Sequence, residues 1–193
     1  MKQVGHKPKL FILDRDGVIN KDSDNYIKSV DEFHIYKTSL DAIAIINKAN
    51  IPIAITTNQS GIFRGYYTES TLKQIHNKLH NSLKKHSNST INKILYCPHG
   101  PNENCSCRKP KPTMLLESLK EFNVDANNAV FVGDSLSDLK AAKAAHIPCV
   151  LVRTGKGLRT IKTIQTNHEF YQFSSVPVFN NLLSFVKSLN LLS

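Results

Sequence analysis

The chain has no tryptophan, only 8 glycines and 8 prolines, and 15 acidic side chains against 25 lysines and arginines in 193 residues. So little glycine and proline excludes collagen-like and low-complexity chains. No apolar run approaches the roughly 20 residues of a membrane span. The opening MKQVGHKPK has neither the apolar stretch nor the small-residue cleavage site of a secretion signal. A cytoplasmic location with no membrane partner is therefore expected. With no tryptophan and no basic stretch interleaved with aromatics, the chain also lacks the stacking platform of a nucleic-acid binder. What it does have is a globular composition, 40% apolar and 21% charged, which supports a packed core. The length suits a single domain over residues 1–193.

The net charge is +10, which favours anionic partners such as phosphorylated metabolites. The surplus lysines are scattered, and the one compact cluster, Lys84-Lys85-His86, sits where a predicted helix ends, a position that favours cations in any protein. A zinc-ordered nucleic-acid binder, whose affinity falls steeply with salt, stays open as a reading of the charge.

Five short apolar runs stop abruptly at polar residues. They are residues 9–13, 51–56, 91–96, 129–132 and 148–152, and each reads as a strand buried on both faces of a parallel sheet. Helical periodicity fills the gaps: 38–49, with Leu40, Ile43, Ala44 and Asn47 in phase; 68–86; 112–122; 135–146; and about 178–190, with Phe179, Leu182, Leu183, Val186 and Leu189 inward. Residues 156–176 give no clear pattern. Strand–helix alternation predicts an α/β fold, with helices on both faces of a central parallel sheet.

Ligands of such sheets bind beyond the carboxyl ends of the strands, and Asp14, Thr57 and Asp134 each follow directly on a predicted strand. If these strands are neighbours, the three groups converge. In Asp14-Arg15-Asp16-Gly17 the carboxylates are two apart, so in an extended segment they face the same way. Two close carboxylates repel unless a cation neutralises them, and Mg²⁺, with its oxygen ligands and exchangeable waters, suits a phosphate substrate. One carboxylate can then attack phosphorus while the other handles the proton. Thr57-Asn58-Gln59-Ser60-Gly61 offers a hydroxyl, amides and backbone donors to phosphate oxygens, or forms an ordinary turn. Arg108-Lys109 supplies two cations ahead of a helix, able to offset charge in a transferring phosphoryl group. In Gly133-Asp134-Ser135, Asp134 is a further Mg²⁺ ligand or a helix cap, and Asp138 is placed to accept hydrogen bonds from Lys109 or from metal-bound water.

Three of the four cysteines lie within eleven residues, in the pattern Cys97-X-His99, five residues, Cys105-X-Cys107. Three thiolates and an imidazole match a closed four-coordinate Zn²⁺ site, which is structural because no position stays open. Cys107 directly precedes Arg108-Lys109, so ordering this loop positions both cations. Cys149 reads as a small buried hydrophobe. His6, His34, His76, His80, His86, His146 and His168 read as surface or core residues.

LDRDGVIN (13–20), TNQSGIFRG (57–65), CPHG with CSCRKPKP (97–112), VGDSLSDLKAA (132–142) and VLVRTGKG (150–157), in this order, resemble the haloacid dehalogenase (HAD) superfamily of phosphohydrolases. Within it they resemble the branch of heptose-bisphosphate phosphatases and histidinol-phosphatases. The resemblance implies a Rossmann-like three-layer fold with a minimal cap, where loops shape the pocket. It implies Asp14 as nucleophile, Asp16 as acid and then base, and Thr57 and Lys109 holding the phosphoryl group. Mg²⁺ is then held by Asp14, Asp134 and the backbone carbonyl of Asp16, with Asp138 behind them. Asp22, Ser23, Asp24, Asn25, Asn58, Gln59, Ser60 and Arg108 would contact a phosphorylated sugar. The implied reaction is loss of the C7 phosphate from a heptose 1,7-bisphosphate, in the supply of ADP- or GDP-heptose for lipopolysaccharide core. Histidinol phosphate is the alternative substrate. No dimerisation stripe is evident, so a monomer is expected.

Overall fold

A computed structural model describes residues 7–192. Six parallel strands form one sheet in the order β3-β2-β1-β4-β5-β6, with β1 Leu10–Leu13, β2 Ile53–Asn58, β3 Lys93–Cys97, β4 Ala129–Gly133, β5 Cys149–Val152 and β6 Val178–Phe179. The five strands expected from the apolar runs are present. β2, β1 and β4 are adjacent, as convergence of Asp14, Thr57 and Asp134 requires.

Successive side chains of a strand point to opposite faces, and the core divides accordingly. Phe11, Leu13, Ile53, Ile55, Val130 and Val132 pack on one face with Ile43 and Ile46 of α1 (Lys37–Lys48), Ile75 and Leu79 of α2 (Glu69–Ser87) and Phe185 and Val186 of α6 (Leu182–Ser188). Leu10, Ile12, Ala54, Phe131 and Leu151 pack on the other, with Leu115 of α3 (Thr113–Phe122), Leu139 of α4 (Leu136–Ala144) and Ile164 of α5 (Gly157–Thr166). Fully burying each Leu, Ile or Phe contributes roughly 1.5–3 kcal/mol. The result is the helix–sheet–helix sandwich expected of the α/β pattern. Among the described residues, no helix is long and apolar enough to cross a membrane.

Four details differ from the sequence reading. β3 is half-buried along most of its length rather than buried on both faces, because it is an edge strand. The buried stripe of α1 is Ser39, Ala42, Ile43 and Ile46, which moves Ala44 and Asn47 off the inner face; the Ser39 hydroxyl donates to the Val18 carbonyl at 2.8 Å, so a polar residue is tolerated inside. The last helix begins at Leu182, capped by Asn181, and Phe179 lies instead in β6, paired with Val152. Residues 156–176 form α5 and a 3-10 turn over His168–Phe173. α5 runs from the carboxyl end of β5 and carries the chain past the strand ends, which matters for the site.

Candidate active site

The strand ends of β1, β2 and β4 open into a cleft of about 320 Å³. Asp14, Asp16, Asp22, Ser23, Asp24, Asn58, Gln59, Ser60, Arg108, Lys109, Asp134 and Asp138 all line it. Asp14 follows β1, Asp134 follows β4, and Lys109 arrives from the Cys/His loop that follows β3. Carboxylate oxygens of Asp14, Asp134 and Asp138 lie within 4.8 Å of one another. Lys109 Nζ, on a side chain only 2% exposed, sits 2.7 Å from Asp14 Oδ1 and 2.7 Å from Asp138 Oδ1. It also donates to the Thr56 carbonyl at 2.8 Å.

Three buried carboxylates therefore cluster around one ammonium that pairs with only two of them, Asp14 and Asp138. Burial pushes the Asp14 carboxyl up to about 7, with Lys109 opposing and Asp138 and Asp16 adding to the rise. Burial, then Asp138 and Asp14, pushes Asp134 well above the usual carboxylate range. Asp138 goes the other way: against burial, Lys109 and Ser135 hold it below that range. Its Oδ2 accepts from Ser135 Oγ at 2.6 Å, Ser135 N at 3.0 Å and Asp134 N at 3.2 Å, so Asp138 is committed to α4's first turn and to Lys109. Against burial, Asp138 and Asp14 keep Lys109 charged. The uncompensated charge rests on Asp14 and Asp134. A hard divalent cation relieves such a pair, so the donor set fits Mg²⁺.

Two glycines let Asp134 reach its place. A Cβ on Gly17 (φ +89°) would lie 2.0 Å from Asp134 Oδ2, and one on Gly155 (φ +58°) would lie 2.1 Å from the same atom. Both backbones are left-handed, where glycine alone is unstrained. Lys156 N then donates to Asp134 Oδ2 at 2.7 Å.

Asp16 is held differently. Its carboxylate accepts from Arg15, from Asn20 Nδ2 at 2.9 Å and from Gln59 Nε2 at 2.9 Å. Against burial, Arg15 and these amides keep it below the usual range. Its side chain stands apart from the Asp14–Asp134–Asp138 cluster.

Two expected site residues fall outside the cleft lining. Thr57, 1% exposed, lies behind Gln59 and accepts from its Nε2 at 2.8 Å. Asn25 lines a neighbouring groove. Asn58 and Gln59 line the cleft, but both amides are engaged with protein. Asn58 exchanges hydrogen bonds with the Lys109 backbone (3.0 and 3.1 Å), clamping that residue to the end of β2. The sequence reading missed Tyr26, Ile27, Tyr67, Ser135, Ser137 and Lys156, which also line the cleft. Lys156 pairs with Asp22 at 3.2 Å and Arg159 with Asp24 at 3.1 Å, so the start of α5 pins the loop after β1. VLVRTGKG held the signal for Lys156, in a cation just past a strand end.

The Cys/His cluster assembles. Cys97 Sγ lies 3.6 Å from His99 Nδ1 and 3.6 Å from Cys105 Sγ, and His99 Nδ1 lies 3.3 Å from Cys107 Sγ. A disulfide needs sulfurs about 2.05 Å apart. Ligand atoms around a tetrahedral zinc lie about 3.5–3.8 Å apart, given Zn–S and Zn–N bonds of roughly 2.3 and 2.0 Å. The spacing fits a four-coordinate metal. Arg108 Nη1 donates to the His99 carbonyl at 3.2 Å, tying the first cation of the pair to this loop.

A parallel sheet with an acid cluster and a lysine at its carboxyl edge defines a class, and the family model described as HAD-hydrolase-like matches residues 106–183. The chain is a HAD-like phosphatase. It is 49% identical over 152 residues to D-glycero-beta-D-manno-heptose-1,7-bisphosphate 7-phosphatase of Pseudomonas aeruginosa, covering 79% of this chain and 85% of that one. With the enzyme of the same name from Neisseria meningitidis it shares 45% identity over 177 residues, covering 92% of each. The crystal structure of D,D-heptose 1,7-bisphosphate phosphatase from B. bronchiseptica, complexed with magnesium and phosphate, superposes with a TM-score of 0.87 at 38% identity, covering 95% of this chain and 99% of that one. The chain belongs to the D-glycero-D-manno-heptose-1,7-bisphosphate 7-phosphatase family.

Proposed function

We propose that this chain, acting as a monomeric single domain in the cytoplasm, removes the C7 phosphate of D-glycero-β-D-manno-heptose 1,7-bisphosphate. The observation that carries the reading is Lys109 Nζ bridging Asp14 and Asp138 at 2.7 Å each, beside Asp134, in a chain whose relatives at 45–50% identity bear that name. The β form follows those relatives; one at 37% identity is named for the α form.

Asp14 attacks phosphorus as the bond from phosphorus to the C7 oxygen breaks, and Asp16, which its neighbours hold as a carboxylate and which must first take a proton from solvent, gives that oxygen the proton. Asp16, now a carboxylate, takes a proton from water as the water attacks the aspartyl phosphate. Inorganic phosphate leaves and Asp14 is restored. Lys109 faces the phosphoryl oxygens with a fixed charge and needs no reorganisation during the reaction. Asp14, Asp134 and the Asp16 carbonyl would hold Mg²⁺, which when bound supplies the positive charge those carboxylates and a phosphate together require. Asp22, Ser23, Asp24, Ser60 and Arg108, which line the cleft, would contact the sugar.

Phosphate release from both anomers of the heptose bisphosphate, from histidinol phosphate and from a 3′-phosphorylated oligonucleotide tests the reading. The β-heptose bisphosphate is expected to have the highest kcat/KM. Faster turnover of histidinol phosphate would move the chain to the alternative substrate. Tight oligonucleotide binding at physiological salt would revive the nucleic-acid reading.

We also assign Zn²⁺ to Cys97, His99, Cys105 and Cys107, with a positioning role. Stripping it, with loss verified by metal analysis, is expected to raise hydrogen exchange across residues 98–108 and to lower kcat by about tenfold or more, since small displacements of reacting groups are costly. Unchanged turnover after verified loss would remove that role.

A further inference from the structure

Arg15 heads the largest side chains that the fold buries completely. Taking a guanidinium out of water costs several kcal/mol unless its donors are matched. Here they are. Nε donates to Asp16 Oδ1 at 3.1 Å, and Nη2 to both Asp16 oxygens at 2.9 Å and to Gln59 Oε1 at 3.1 Å. Nη1 lies 3.3 Å from His76 Nε2, and the Phe33 ring centroid is 5.4 Å from the guanidinium carbon. Arginine has no acceptor, so His76 must present a bare Nε2. Burial and the neighbouring Arg15 keep that imidazole neutral, lowering it to about 3. Gln59 is fixed in turn. The Tyr67 hydroxyl donates to its Oε1 at 2.6 Å, which leaves Nε2 to donate to Asp16 and Thr57.

All these bonds converge on one carboxylate. Arg15 and His76 are absent from the cleft lining, and Asp16 is present in it. An apolar residue at position 15 would fill the same space without the desolvation cost. A carboxylate that serves first as acid and then as base must stay aimed at the leaving oxygen and then at water; a misplacement of about 1 Å can cost 100-fold. We propose that Arg15, braced by His76 from α2 and by Gln59 after β2, is a positioning residue that aims the Asp16 carboxylate. The role rests on the acid–base assignment of Asp16 made above.

His76 is the point to test, because it is half-buried and stands behind the cleft. His76→Leu removes the acceptor, and His76→Gln offers Oε1 in its place. The readouts are steady-state kinetics on the heptose bisphosphate and single-turnover phosphoryl transfer from p-nitrophenyl phosphate, whose leaving group needs no proton. His76→Leu is expected to lower kcat on the sugar ester about tenfold, with KM within about twofold, and to spare the nitrophenolate burst. His76→Gln is expected to recover most of the loss. Tyr67→Phe, which frees Gln59, should show the same discrimination if His76→Leu fails to fold. Equal losses on both esters, or no rescue by glutamine, would overturn the positioning role. Asp16→Asn on the same two esters is the control: if it slows both transfers alike, the acid assignment itself fails, whereas discrimination by Asp16→Asn without any by the folded His76→Leu or by Tyr67→Phe sinks the positioning role alone.

Discussion

An Asp14→Asn enzyme is expected to lose at least ~10⁴-fold in turnover, the scale seen when a nucleophile is deleted from a machinery that acts as a unit, and to keep its fold. The amide is isosteric, and its oxygen can still accept from Lys109 Nζ, so the geometry behind the cleft survives. What disappears is the oxygen that bonds to phosphorus. Rapid quenching of the wild-type reaction should yield an acid-stable, hydroxylamine-labile phosphoryl label at position 14, absent from the variant. Near-normal turnover, or a label elsewhere, would sink the mechanism. The same variant has a stability signature. Folded Asp14 titrates near 7 rather than at 3.8, chiefly because it is buried. Between those values the folded chain holds a proton that the unfolded chain has released, so the metal-free wild type loses stability as pH rises through this window. Asparagine removes that contribution. The melting temperature of the metal-free variant should therefore fall less between about pH 4.5 and 7.5 than that of the wild type. Asp134, raised in the same sense, keeps part of the slope.

The parts of the site that the sequence makes legible are those carried by strand ends. An apolar run that stops at an acid announces both the strand and where its carboxyl edge opens, so Asp14 and Asp134 could be placed without coordinates. Lys109 is legible for a related reason: the Cys/His pattern directly ahead of it marks a loop that exits at the cation pair. The hidden parts depend on contacts between residues far apart in the chain. Gln59 reads as a turn residue that could meet substrate, yet its amide is spent on Asp16 and Thr57, 43 and 2 positions away. Arg15 stands between two acids with no role that the sequence assigns, and nothing local says that a histidine 61 positions on will accept from it. Thr57 follows the apolar run like the two acids, but strand alternation turns its hydroxyl behind Gln59. The periodicity predicts too long a last helix because Phe179 is in phase with Leu182 and Leu183; pairing with β5 takes it into the sheet instead. In each case tertiary partners decided between local options that the residue type left open.

Lys109→Met is the second large expected effect, and it strikes stability and chemistry together. Methionine approximates the aliphatic stem and leaves Asp14 and Asp138 buried without their shared cation. Breaking a buried pair by removing one partner costs about 3–5 kcal/mol, more than the net worth of the pair, because the charge left behind has no water to return to. The sign of the pH dependence at Asp138 should reverse. In the wild type, Lys109 and Ser135 hold Asp138 below its unfolded value against burial, so its contribution is present above that value and fades as pH falls. Without Lys109, burial dominates and the carboxyl must take up a proton to remain inside. Folding then binds protons, and the stability deficit should grow as pH rises. Thermal melts of metal-free wild type and variant at about pH 5 and pH 8 check this, with the larger gap expected at pH 8. Catalysis should fall by about 10²–10³-fold even with Mg²⁺ restored and the fold intact, since a preorganised charge aimed at the phosphoryl oxygens is gone. Lys109→Arg is the discriminating control. It restores charge, but a planar fork cannot occupy the space that a compact ammonium fills between two carboxylates 2.7 Å away on either side. Stability should recover in part and turnover should not. Full activity in the arginine variant would mean that charge alone, and not its place between Asp14 and Asp138, is what the site requires.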